Sequence, residues 1–148
     1  MRALIHRVSY ARVLVDEKVI GEIDRGLLVF IAFQKGDSVA RIDKLLNKVL
    51  AYRVFPDGAG HMNLSLADIS ASLLIVSQFT LAADTRKGLR PSFSSATPPP
   101  EAEALYDEFV SRARQRCEAV ATGRFGADMK VQLENAGPVT FLLEVNDP

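Results

Sequence analysis

Apolar and β-branched residues dominate Ala3 to Val15, a turn signal stands at Glu17-Lys18, and the same pattern returns from Val19 to Ile23. A β-hairpin is predicted. The run Leu27-Leu28-Val29-Phe30-Ile31-Ala32-Phe33 carries no polar alternation, as expected of a central strand covered on both faces. Gly36-Asp37-Ser38 interrupts it. Asp37 or Ser38 then stands where a helix needs its cap, and Ile42, Leu45, Leu46, Val49 and Leu50 follow at helical spacing as one buried stripe.

Pro56-Asp57-Gly58 marks a turn, and Ser72 to Leu81 reads as a second buried strand, apolar through Leu73-Leu74-Ile75-Val76 and polar at its end. Ala82 to Thr97 shows little periodicity. Loops of this length are commonly functional or disordered. Pro98-Pro99-Pro100 closes the loop, and Glu101 opens a helix with Leu105, Phe109, Ala113, Cys117 and Val120 inward, stopped by Gly123. Met129, Val131 and Leu133 alternate with polar neighbours, as do Val139, Phe141, Leu143 and Val145, so two strands are expected to flank a turn at Asn135-Ala136-Gly137-Pro138. The fold class is therefore α+β, one domain over residues 1–148, a mixed β-sheet carrying two main helices.

A chain of 148 residues can bury roughly 68–70% of its unfolded surface, so one core suffices without a covalent staple. The single cysteine, Cys117, excludes an internal disulfide and reads as a buried, inert thiol of a reducing compartment. Neither a signal segment nor a membrane span is visible: the apolar run at Leu27 is too short for a bilayer, and a cytoplasmic protein is expected. With 18 basic and 18 acidic residues the net charge is zero, which rules out broad electrostatic attraction as the main mode of nucleic-acid binding. Any RNA contact has to be local. Arg86-Lys87-Gly88-Leu89-Arg90 is the one dense basic stretch outside helices, and it reads either as a solvated loop or as a phosphate contact.

Two histidines and one cysteine leave little material for a triad or a metal centre. No Cys-x-x-Cys, His-Glu-x-x-His or glycine-rich phosphate loop occurs, so neither metal nor cofactor is expected. His6 reads as a satisfied strand residue and His61 as a solvated turn residue. Two segments break local rules. Ser77-Gln78-Phe79-Thr80 places hydroxyls and an amide at the end of an apolar strand, where N–H groups leaving the ladder can face a ligand or merely pair with a neighbouring loop. Gly137-Pro138 combines a residue without a side chain and one without an N–H, and it serves either a hairpin turn or an exposed backbone element in which the peptide is cis or trans; about 5–6% of X-Pro bonds in folded proteins are cis.

Taken in order, these segments resemble the D-aminoacyl-tRNA deacylase family over nearly the whole chain. The resemblance is carried by Met1-Arg2-Ala3-Leu4-Ile5-His6-Arg7-Val8-Ser9, Tyr52-Arg53-Val54-Phe55, Met62-Asn63-Leu64-Ser65 and Ser77-Gln78-Phe79-Thr80-Leu81. It continues through Ala83-Asp84-Thr85-Arg86-Lys87-Gly88-Leu89-Arg90-Pro91-Ser92-Phe93, Thr122-Gly123-Arg124-Phe125-Gly126-Ala127-Asp128-Met129 and Asn135-Ala136-Gly137-Pro138-Val139-Thr140. Two positions depart: Ala136 stands where the family commonly has aspartate, and His6 where it commonly has glutamine.

The resemblance implies a barrel-like sheet, a homodimer with sites at the subunit interface, and hydrolysis of the ester joining a D-amino acid to tRNA. It implies that Gly137 and Pro138 form a cis peptide entering the partner's pocket, where they exclude L side chains, that Arg7 braces that turn, and that Phe125 and Met129 line the terminal adenosine. An aminoacyl ester is already activated, so no triad is required. Backbone N–H groups of Gln78, Phe79 and Thr80 are expected to hold the oxyanion, with the Thr80 hydroxyl as nucleophile or water positioner. Ser77 belongs to the same segment. Achiral glycyl-tRNA should also be cleaved, and Arg86, Lys87 and Arg90 are candidates for acceptor-stem phosphates. The competing expectation is a noncatalytic nucleic-acid-binding dimer.

Overall fold

The computed structural model describes residues 1–146. The expected hairpin pairs β1 (Arg2–Val15) antiparallel with β2 (Lys18–Ile23), turning at Asp16 and Glu17, both in the left-handed region. β3 (Gly26–Ala32) is buried on both faces, as its unbroken apolar run demands. It pairs antiparallel with the first half of β1 and parallel with β6 (Ser72–Ser77). Parallel pairing needs a crossover. That crossover holds α1 (Val39–Ala51), the short hairpin β4 (Phe55–Pro56) and β5 (Met62–Leu64), and α2 (Leu66–Ile69) with its Ser65/Asp68 capping box.

α1 buries the predicted stripe Ile42, Leu45, Leu46, Val49 and Leu50. Ser38 is its N-cap residue, without a side-chain capping bond. The stripe packs on Ala3, Ile5, Leu27, Val29 and Ile31, which occupy alternate positions of β1 and β3. The other set of alternate positions, Val8, Leu28, Leu74 and Val76, joins Ala11, Val13 and Ile23 in a second cluster on the opposite face.

Three expectations are corrected. The second buried strand ends at Ser77 rather than Leu81, because residues Phe79–Ala82 turn into a 3-10 helix. The long helix, α3, runs over Pro99–Arg116 with proline in its first turn and Ala102, Tyr106, Phe109 and Ala113 buried. Cys117 ends it in an extended conformation, half-buried, and Val120 lies beyond it in β7 (Val120–Thr122), parallel to β6. An apolar residue three positions after another serves a helix face or a strand start equally well, and pairing with Leu73 decided here.

The third correction concerns the C-terminal region, which is one strand, β8 (Lys130–Glu144), not a hairpin. Both halves pair with β1, Lys130 opposite Leu14 at one end and Glu144 opposite Arg2 at the other, so the chain never reverses. A fourteen-residue β1 supplies one partner long enough for both halves. Between Asn135, opposite Val8, and Thr140, opposite His6, residues Ala136, Gly137, Pro138 and Val139 bulge out opposite Arg7.

Among the described residues the main sheet has six strands, ordered β2-β1-β3-β6-β7 with β8 on the free side of β1. β2 and β7 approach so closely that a Cβ on Gly21 would sit 2.4 Å from the Thr122 carbonyl oxygen. The sheet is thereby almost closed into a barrel. No helix among the described residues is long and apolar enough to cross a membrane.

Candidate active site

β6 lies between parallel neighbours, and its carboxyl end opens on a cavity of about 700 Å³. Clefts at the carboxyl ends of parallel strands are common ligand sites, because the chain leaves the ladder there with its amides turned outward. One wall is Ser77, Gln78 and Phe79; another is Phe93 with Ala96 to Pro99; the floor includes Phe125, Met129 and Val131. Sequence analysis expected Ser77, Gln78, Phe79, Phe125 and Met129 at a site, and the fold brings all five to this cavity.

The backbone amides of the strand end differ in availability. Gln78 N–H donates to the Ile31 carbonyl at 2.8 Å, a link to β3 that removes it from the expected oxyanion donors. The 3-10 turn frees the next two. Phe79 and Thr80 open that turn, and neither N–H has an acceptor among the described residues, as expected of the first amides of a helical turn. Thr80 is exposed and lies outside the cavity wall. Its hydroxyl accepts from the Gln78 side-chain amide at 2.5 Å. The Phe79 ring, 65% exposed, leans on Phe93 with centroids 5.3 Å apart.

Phe125 and Met129 are set by a short, glycine-rich return. Gly123 N–H bonds the Ile75 carbonyl at 3.0 Å, and a Cβ on Gly123 would fall 2.7 Å from the Met129 sulfur, so glycine makes room for the thioether. Gly126, at φ 76°, turns the chain between the two side chains. The sulfur accepts the Arg124 N–H at 3.4 Å. Phe125 packs against Tyr106, centroids 5.8 Å apart, and the buried Tyr106 hydroxyl donates to the Ile75 carbonyl at 2.9 Å. Burial holds the Tyr106 phenol well above its usual range, so it stays a neutral donor.

Arg7, Gly137 and Pro138 do not line this cavity; they form a separate cluster at the β8 bulge. The Gly137-Pro138 peptide is cis, and both residues are exposed. Arg7 Nε donates to the Ala136 carbonyl at 2.9 Å while its Nη1 donates to the Val54 carbonyl at 2.7 Å, so the guanidinium ties the bulge to the segment before β4. Val139 N–H closes the bulge on the Asn135 side-chain oxygen at 2.8 Å. Ala136 thus serves through its carbonyl. His6 Nδ1 meets the Thr140 hydroxyl at 2.7 Å and its ring stands edge-on to Phe30; burial lowers its pKa.

The basic loop splits likewise. Arg86 is bound to Asp84 through Nε and Nη2, at 2.9 and 2.7 Å, which holds that carboxyl far below the usual carboxylate range. Lys87 and Arg90 are exposed. Sequence reasoning missed Phe93, Thr97 and Tyr106. Phe93 stood inside a matching motif without a role, and nothing in the loop or helix pattern distinguished the other two.

A cleft at the end of parallel strands, with two unengaged amides at its rim and Phe125 and Met129 on its floor, has the features of a candidate small-ligand site. The sequence pattern of the D-Tyr-tRNA(Tyr) deacylase family matches residues 4–144. The chain is 61% identical over 144 residues to a D-aminoacyl-tRNA deacylase of Stutzerimonas stutzeri, covering 97% of this chain and 99% of that one. It is 56% identical over 146 residues to one of Cellvibrio japonicus, covering 99% and 100%. A solved structure of a c-Myc DNA unwinding element binding protein superposes with a TM-score of 0.95 at 37% identity, over 99% of this chain and all of that one. A probable eukaryotic D-amino acid tRNA deacylase shares the fold, with a TM-score of 0.86 at 19% identity over 97% and 98% of the two chains. The chain belongs to the D-Tyr-tRNA(Tyr) deacylase family, a family of hydrolases.

Proposed function

We propose that this protein hydrolyses the ester of D-aminoacyl-tRNA, and of glycyl-tRNA, as a cytoplasmic homodimer that removes wrongly charged amino acids during translation. The observation that carries this reading is the pair of unengaged amides, Phe79 and Thr80, at the rim of a cavity floored by Phe125 and Met129. The terminal adenine stacks on Phe125 and the thioether. The ester carbonyl then reaches the two N–H groups, where the oxyanion of the tetrahedral intermediate is stabilised; such donors are worth on the order of 10²–10³ each in related acyl chemistry. Water attacks the carbonyl carbon, the tRNA ribose oxygen leaves with a proton, and the amino acid departs as the free acid. Thr80, held by the Gln78 amide, orients that water; among the described residues no base is bonded to it that would make it a nucleophile.

Chirality is judged by exclusion. Gly137 and Pro138 of a second copy enter the cavity and face the Cα of the aminoacyl group, leaving no space for an L side chain. Their exposure on the protomer supports this role, as does the Arg7 brace behind them. A dimer also has an apolar surface to use: Leu142, Leu4 and Phe30 lie in one row across three strands, on the face opposite α1, with Leu4 and Phe30 part-exposed and Leu142 50% exposed. Lys87 and Arg90 meet acceptor-stem phosphates, with Arg86 occupied by Asp84.

The test is ester loss from matched D- and L-tyrosyl-tRNA. Selective cleavage of the D form is expected, and equal stability of both overturns the reading. Thr80→Ala is expected to retain measurable turnover; total loss with intact tRNA binding would assign the chemistry to its hydroxyl. A second reading, a noncatalytic nucleic-acid-binding dimer, is favoured by the likeness to the DNA unwinding element binding protein. Tight binding of nucleic acid with no ester cleavage would place it first.

A further inference from the structure

A second, much smaller cavity lies behind the strand end. Its volume is about 20 Å³, and it is a partly open recess where the end of β3, the segment Ser77 to Phe79 and Thr97 meet, adjoining the large cavity and sharing Phe125 with it. A space of roughly 10–15 Å³ already holds one water, provided polar groups surround it. Here they do. The Thr97 hydroxyl oxygen is buried and has no hydrogen-bond partner among the described residues, although the same residue's N–H is fixed to the Phe33 carbonyl at 3.1 Å. The Ser77 hydroxyl, on the facing wall, has no partner among the described residues either.

A valine at position 97 would fill the same shape without burying an unsatisfied donor, so the hydroxyl needs a partner to be tolerated. We propose that Thr97 and Ser77 hold one ordered water in this cavity, and that through it Thr97 acts as a positioning residue for the active-site amides. The inference rests on the deacylase reading for its kinetic consequence, but not for the water itself. The carbonyls of Ile31 and Phe33 each accept one protein bond and keep a second lone pair for the same molecule.

The water then joins three segments: β3, the end of β6, and the loop preceding α3. Ser77 immediately precedes Gln78, whose N–H is pinned to Ile31, and the two free amides follow. Fixing the Ser77 side therefore fixes the direction in which the Phe79 and Thr80 N–H groups point. Phe125 and Thr97 border both cavities, whereas Met129 and Val131 border only the large one; valine keeps the volume of threonine, so Thr97→Val leaves the shared wall its shape and substrate affinity is expected to change little.

Two measurements test this. A high-resolution crystal structure of the unliganded protein is expected to show a water within hydrogen-bond reach of both hydroxyls, lost in Thr97→Val and kept in Thr97→Ser. In steady-state hydrolysis of D-tyrosyl-tRNA, Thr97→Val is expected to lower kcat about tenfold through misaligned amides, with KM nearly unchanged, while Thr97→Ser keeps most of the wild-type rate. A dry cavity in the wild-type crystal, an unaltered kcat in Thr97→Val, or an equal loss in both variants overturns the proposal. Should the wild type cleave no D-aminoacyl ester, the functional reading fails, and the crystallographic comparison still decides the water.

Discussion

The α-ammonium of Met1 and the carboxylate of Asp37 meet at 3.0 Å with both side chains fully shielded from solvent. Asp37 also receives Arg41 Nη1 at 2.8 Å and the Gln34 N–H at 2.6 Å, while the ammonium donates to the Val145 carbonyl at 3.0 Å. One clasp thus joins the start of β1, the approach to α1 and the residue after β8. Removing one partner of a shielded pair leaves the other charge uncompensated, and Asp37→Asn is expected to lower the unfolding free energy by about 3 kcal/mol in urea titration. Glu22→Gln, which breaks the exposed Arg12–Glu22 pair at 3.9 Å, should change it by less than about 0.5 kcal/mol.

Gly137 sits at φ 137°, and a Cβ there would lie 2.8 Å from Val139 Cγ2 and 2.9 Å from Arg7 Nη2. Gly137→Ala must therefore move the dipeptide or its brace. Deacylation is expected to fall about a hundredfold through misplacement, with an unfolding cost of ~1–3 kcal/mol. Kinetics and urea titration on the same preparation separate the two effects.

Phe125 offers its ring to the cavity from a backing of Tyr106. Base stacking on an aromatic side chain is worth about 1–3 kcal/mol, so Phe125→Ala should raise KM for D-aminoacyl-tRNA about tenfold or more. Its kcat should change far less. A fall in kcat at constant KM would place the base elsewhere.

The early hairpin, β3 and α1 were legible in the sequence because their periodicity is local and unbroken. The β8 bulge was not: Gly137-Pro138 signals a departure from the ladder, but only the length of β1, far away in the chain, decides whether the strand turns back or resumes. The same distance hid the fate of the Gln78 amide, which depends on the register of β3 against β6. Motif order led to Phe125 and Met129, while the Met1–Asp37 clasp and the Thr97 hydroxyl left no local signal. Each joins residues that carry no pattern of their own.

Exclusion of L side chains makes a demand on the achiral substrate. Glycine has nothing to clash with the opposing backbone, so glycyl-tRNA should lose its ester at a rate nearer that of D-alanyl-tRNA than of L-alanyl-tRNA. Resistance of glycyl-tRNA in this three-way comparison would remove the steric explanation.

His6 gives a pH dependence. Partial burial lowers its pKa in the folded protein below the ordinary histidine range, so the unfolded chain binds the proton more readily. The neutral form's contribution is complete above the unfolded pKa and is lost as pH falls through it toward the lower folded value. The wild-type urea midpoint should therefore drop on acidification below about pH 6.5 more than that of His6→Gln, which carries no titrating ring. Parallel slopes for the two proteins would exclude the residue as the source.

β8 keeps its pairing with β1 on either side of residues 136–139. The barrel behaves there like a fixed rail bearing a four-residue cassette, which the Arg7 and Asn135 side chains fasten to it. Substitutions confined to those four positions can thus alter what the bulge presents while the paired residues on both flanks stay in register.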